Sequence, residues 1–174
     1  VGIYSAVAGN DNFIVNDTDF TLTNGNKQKG IVAVNGKVQV SSSGTNEIET
    51  DGANGVGIHV SDGGSVSSTN YTYTLDGTNS KGILAESDAA GIDVTGGKFT
   101  ITGDNSFGIE SLISGDDKFN VTDADITMTG GTKQTGIYSA NGRVNVKSTS
   151  AATISIAGAD GKGIGGHVGI STGL

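Results

Sequence analysis

One dipeptide recurs along this chain and limits what the chain can fold into. Gly-Ile stands at Gly2-Ile3, Gly30-Ile31, Gly57-Ile58, Gly82-Ile83, Gly108-Ile109, Gly136-Ile137 and Gly163-Ile164, in steps of 28, 27, 25, 26, 28 and 27 residues. Recurrence at roughly 20 to 50 residues marks a repeat architecture. Two further pairs spaced i, i+2 follow in each period. The first is Phe13/Val15, Val38/Val40, Val66/Ser68, Ile92/Val94, Phe119/Val121 and Val144/Val146. The second is Phe20/Leu22, Ile48/Thr50, Tyr73/Leu75, Phe99/Ile101, Ile126/Met128 and Ile154/Ile156. That spacing places both side chains on one face of a strand.

Three short strands per period cannot bury their apolar sides alone. They can do so if each coil stacks on the last, so that equivalent strands pair in parallel around a shared core. The sequence therefore predicts an all-β chain wound as a right-handed parallel β-helix. It carries three short strands per coil of 25–28 residues and about six and a half coils, as one segment spanning 1–174. Ile3, Ile31, Ile58, Ile83, Ile109 and Ile137 are expected to form one interior column, with neighbours about 4.8 Å apart.

Composition agrees. The chain has no proline, which a strand central to a ladder cannot accommodate, and no cysteine, so stability rests on stacking. Its 30 glycines include a column just past the third strand, Asn24, Gly52, Gly77, Gly103, Gly130 and Gly158, which reads as a turn requiring positive φ. A net charge of −8 argues against nucleic acid or an anionic membrane as partner. No apolar run is long enough to insert in a membrane as a helix. The chain reads as part of a longer solenoid, whose bare terminal coils are expected to fray or to associate end to end.

A longer period overlies the first. At an offset of 106, Asp11/Asp117, Phe13/Phe119, Asp17/Asp123, Asp19/Asp125, Lys27/Lys133 and Gln28/Gln134 are identical pairs, and the four-coil super-repeat links 2–58 to 108–164. The extended turns at 6–12 and 112–118 carry Asn10, Asp11 and Asn12 in one case and Asp116, Asp117 and Lys118 in the other. These are candidate display loops. The long turns 41–47 and 147–153 recur at the same offset and should line a second edge.

Four residue patterns could carry chemistry. Asp17-x-Asp19 and Asp123-x-Asp125 supply carboxylates that suit either calcium or tight-turn hydrogen bonding, and the turn reading is the stronger one. Outward threonines of the third strand, such as Thr21, Thr100 and Thr127, suggest an ice- or crystal-binding face, but Glu49, Asp51 and Asp76 interrupt it. The outward column Tyr4, Val32, His59, Leu84, Glu110 and Tyr138 is the least polar exposed stripe and a candidate contact surface. The outward column of the second strand holds Asp93 without a basic residue or second carboxylate, which does not make an acid/base pair. No nucleophile, cofactor-binding or metal motif stands out, and the chain reads as a non-enzyme.

Gly-Ile-Tyr-Ser-Ala, at 2–6 and again at 136–140, followed by a Val-x-Val strand and a threonine-rich strand, resembles the passenger regions of Gram-negative autotransporter adhesins. The resemblance is one of repeat style and runs through all coils. It implies a cell-surface stalk, exported through a C-terminal outer-membrane barrel that lies outside this sequence. Its partners would be host-cell or bacterial surface proteins or glycans. A polysaccharide-modifying β-helix enzyme is the competing class.

Overall fold

The computed structural model describes residues 1–6, 12–23, 25–116 and 118–172. Among them there is no helix, and the chain winds as a right-handed parallel β-helix of about six turns. Coil one supplies β1 (Ile3–Ser5), β2 (Asn12–Asn16) and β3 (Phe20–Leu22). Coil two supplies β4 (Lys29–Val34), β5 (Lys37–Ser41) and β6 (Glu47–Thr50); coil three supplies β7 (Val56–Ser61), β8 (Ser65–Thr69) and β9 (Thr72–Leu75). Coil four holds β10 (Lys81–Ala85), β11 (Gly91–Thr95) and β12 (Lys98–Ile101), and coil five β13 (Phe107–Ser114), β14 (Phe119–Thr122) and β15 (Asp125–Met128). Coil six departs from three separate strands: its first two run together as β16 (Thr135–Ser148), followed by β17 (Ile154–Ile156). β18 (Lys162–Thr172) opens the seventh coil.

Every paired strand is parallel. First and second strands form one 12-stranded sheet, joined through β16, and third strands form a six-stranded sheet in the order β17-β15-β12-β9-β6-β3. The register matches the sequence expectation position by position. Ile3 pairs with Ile31, Ile31 with Ile58, Ile58 with Ile83, Ile83 with Ile109 and Ile109 with Ile137. From Ile31 to Ile109 this column is fully buried. In the third-strand column the rings of Tyr73 and Phe99 stack with centroids 4.5 Å apart and 4° between planes. Ser68, which interrupts the apolar pattern, is buried with its hydroxyl 2.7 Å from that of Tyr73, so each polar atom has a partner in the core.

The glycine column past the third strand is a correction in two respects. First, its members are Gly25, Gly52, Gly77, Gly103, Gly131 and Gly158. A methyl group at Gly52 would lie 1.8 Å from the Gly25 carbonyl oxygen, one at Gly77 2.2 Å from that of Gly52, and one at Gly158 2.6 Å from that of Gly131. Asn24 lies outside the described residues, and Gly130 stands one residue before the column. Second, positive φ is not what selects these glycines: only Gly130 of the expected set has it. The left-handed residues stand two positions on, at Lys27, Asn54, Asn79, Asn105, Lys133 and Asp160. The glycines are there because backbones of successive coils pass too close for any side chain. Ser80 and Ser106 reach into this corner, their hydroxyls donating to the carbonyls of Gly52 and Gly77, and buried Gln134 donates to those of Ile101 and Gly103.

The same close approach explains the Gly-Ile pair. A methyl group at Gly82 would sit 2.6 Å from the Gly108 carbonyl oxygen and about 3.1 Å from the Phe99 ring. Gly82→Ala is therefore expected to destabilise the fold by about 1–3 kcal/mol through overpacking. Gly44→Ala, where nothing lies within 4 Å, should change it by less than about 0.5 kcal/mol. Urea unfolding of the two variants checks this, and equal midpoints would contradict it. Ile83→Asp should abolish folding, since a carboxylate in that column has no partner.

Candidate functional site

The long turns of coils two and six are held by the paired aspartates of the coil before. Asp17 and Asp123 open the turn after the second strand with φ of 49° and 55°, a conformation Asp tolerates. Their amides donate to the carbonyls of Ser41 and Lys147 on the next coil. Their carboxylates then reach across to the start of the long turn. Asp17 Oδ1 accepts from the Ser43 amide at 2.7 Å and the Ser43 hydroxyl at 3.0 Å. Asp123 accepts from the amides of Thr149 and Ser150 at 2.6 and 3.0 Å, and from the Thr149 hydroxyl. The second carboxylate takes the far end. Asp19 Oδ1 accepts from the Glu47 amide at 2.8 Å and Asp125 Oδ1 from the Thr153 amide at 2.7 Å and hydroxyl at 3.1 Å. Asp-x-Asp is thus a two-point clamp on the turn of the following coil, as the turn reading anticipates. Among the described residues no group of three or more His, Asp or Glu could hold a metal ion.

Sequence reasoning missed a tie from coil three to the backbone between the two aspartates of coil one. Tyr71, just ahead of β9 in coil three, is fully buried and reaches past coil two to coil one. Its hydroxyl accepts from the Thr18 amide at 3.0 Å and donates to the Thr18 carbonyl. The next residue, Thr72, donates its amide to the Asn46 carbonyl near the end of the 41–47 turn. The available signal was an aromatic residue outside both apolar pairs, in the coil directly after a long turn.

The display loops stand differently from the expectation. Asn10, Asp11 and Asp117 lie outside the described residues, and Asn12 begins β2. In coil five the extra residues do not all protrude. β13 continues to Ser114, and Ile113 is buried in the core because the strand keeps its alternation past the usual turn. Gly115, with φ of 98°, then turns the chain, leaving Asp116 and Lys118 exposed.

The contact stripe is also corrected. Tyr4 is 61% exposed, but Val32, His59 and Leu84 are buried, and Glu110 and Tyr138 are half-buried. Neighbouring coils are close enough for long flanking side chains to cover an outward column. His59 lies between Lys29 Nζ at 3.1 Å and Glu86 Oε1 at 3.0 Å. Glu110 is paired with Lys81 at 3.1 Å, and Tyr138 packs against Phe107 with ring centroids 5.8 Å apart. The stripe is a polar-capped seam with open aromatic surface at its ends.

On the second strand Asp93 accepts from Asn120 at 2.9 Å, and Asn120 from Asn145 at 3.1 Å, an outward amide ladder. On the third, Glu49 interrupts the threonines; partial burial first, then Glu47, Asp76 and Asp51, push its carboxyl above the ordinary range. Fold and surfaces together define a β-solenoid with clamped turns. Comparison with known proteins finds no matching family model, no matching curated protein and no matching solved structure.

The hydrogen bonds from the Thr149 side chain and amide, with those from Ser150, hold the Asp123 carboxyl down to about 2. A lowered value in the folded state means the clamp contributes above the ordinary aspartate range, near 4. That contribution is lost as pH falls from there toward 2. A carbon-detected NMR titration of the Asp123 carboxyl should give a midpoint near 2, with the Thr149 amide shifting in step. An ordinary midpoint would show the clamp to be open in solution.

Proposed function

We propose that this chain is a structural and adhesive segment of a bacterial cell-surface protein of the autotransporter passenger kind. It acts outside the cell, as a stalk tethered to the outer membrane through a barrel beyond this sequence. It holds turns and sheet faces at fixed spacing for attachment to protein or glycan on other cells. The observation that carries this reading is the repetition of the clamped turn. Turns 41–47 and 147–153 each have a dedicated pair of carboxylates beneath them, at one offset of 106 residues. Four coils separate the two, roughly 19 Å along the axis. Weak contacts made by loops repeated along one rigid axis gain strength from multivalency. Short turns close the intervening coils, so the long ones are not needed to complete the winding.

The experiment shortens both long turns to the seven-residue spacing of the other coils, in a protein displayed on cells, with circular dichroism verifying the fold. A loss of attachment of tenfold or more is expected. Unchanged attachment would leave the segment as a spacer. Release of sugar from cell-surface polysaccharides by the purified chain would instead favour the enzyme class.

A further inference from the structure

The outward column of the first strand carries a side chain in coils one to six, from Tyr4 to Tyr138, and none in coil seven, where Gly165 pairs with Tyr138. A methyl group at Gly165 would lie 3.2 Å from Cδ2 of the Tyr138 ring, so that ring leans over bare backbone. Toward coil five the same ring meets Phe107, with 54° between the two planes. The result is a cleft of about 660 Å³ on the outer face of the sheet, walled by residues of coils five, six and seven. That volume falls within the range of small-ligand sites, roughly 300–1,000 Å³.

The corner leading into the first strand supplies the charge. Lys133 and Asp160 hold its left-handed positions, with φ of 55° and 57°, and Lys162 opens β18. All three are exposed and line the cleft. Among the described residues neither Lys133 nor Lys162 is in an ion pair. Glu110, on the coil-five wall, is already neutralised by Lys81 at 3.1 Å. Two unpaired lysines thus meet at one aromatic cleft, with Asp160 beside them, in a chain whose net charge is −8. The occupant that complements these surfaces is an anion built on a flat ring that also carries hydroxyl groups.

We infer that this cleft binds a hexuronic acid residue of an acidic polysaccharide. The C–H face of the sugar ring packs on the apolar face of Tyr138, whose hydroxyl keeps a polar edge for the sugar. A hexuronate carboxylate lies near the plane of its own ring, so stacking on Tyr138 directs it sideways. There it accepts charge-assisted hydrogen bonds from Lys133 and Lys162. Asp160 accepts from the sugar hydroxyls. A neutral sugar would leave both ammonium groups unpaired, which makes the charge the source of selectivity. The inference stands apart from the attachment reading, because the clamped turns follow the second strand and the cleft lies over the first.

The probes are trigalacturonate and its methyl ester, which keeps the rings and removes the charge, each titrated into the intact chain and followed by NMR. Expected are shift changes at the Tyr138 and Phe107 ring protons and the Lys162 amide. The acid should bind at least about fivefold more tightly than the ester, for one carboxylate held by two exposed lysines. Added salt should narrow that difference. Replacing both lysines, Lys133→Gln with Lys162→Gln, alters only exposed side chains and should lower the acid to the affinity of the ester. Lys98→Gln, an exposed lysine on the third-strand sheet, should leave it unchanged. Equal affinity for acid and ester, or no shifts at the two rings, would overturn the inference. So would acid binding that the double lysine replacement leaves intact, or that Lys98→Gln weakens equally.

Discussion

The structure depends on one constraint: each backbone must pair with its own equivalent one coil away. A parallel ladder between like positions is satisfied only if the winding brings residue i over residue i plus about 27 at every strand. It therefore confines length changes to the stretches between registered positions, where they make a longer turn or a register shift such as the one between Ser111 and Ser114. Everything else is arranged around that spacing. Large apolar side chains can stack into continuous columns because the ladder holds them in register, as Tyr73 and Phe99 do. Corners must be glycine because the ladder pulls successive carbonyls into the space a side chain would need. Buried Ser80, Ser106 and Gln134 return hydrogen bonds to carbonyls where the winding turns and strand pairing stops.

The same constraint explains what the residues disclosed in advance and what they hid. Strand pairs were legible because the i, i+2 apolar pattern repeats with the Gly-Ile pair, so register followed from counting. The reason for the glycines was not legible. A glycine chosen for positive φ and one chosen for close approach look identical, and the left-handed role had passed to Asn54, Asn79 and Asn105, which bear it as single residues. Burial of the outward column was hidden for a related reason. Alternation tells which way His59 points, but not that Lys29 and Glu86 close on it from both sides. The continuation of β13 through Ile113 was missed because an insertion can lengthen a strand as readily as a loop.

The candidate surface was half visible. The aspartate pairs and the long turns each appear in the sequence as features of the super-repeat, one coil apart. Nothing in the sequence says that they touch. Side-chain reach across one strand spacing is what joins them, and the structure supplies it through backbone amide donors at both ends of each turn. Tyr71 adds a third tie from the coil beyond, bonded to Thr18 between the two aspartates, so one clamp draws on three successive coils.

That arrangement gives the solenoid a grammar as well as a length. The carboxylates always belong to the coil before and the turn they grip to the coil after, so the two are inherited as a phrase that cannot be split. Removing one coil from such an array, or inserting one, strands a pair of aspartates opposite a short turn or leaves a long turn with nothing beneath it. Exchange between like blocks avoids both errors, because it moves clamp and turn together. A chain built this way can change its reach only in whole phrases, and its history of duplication should be written in multiples of them.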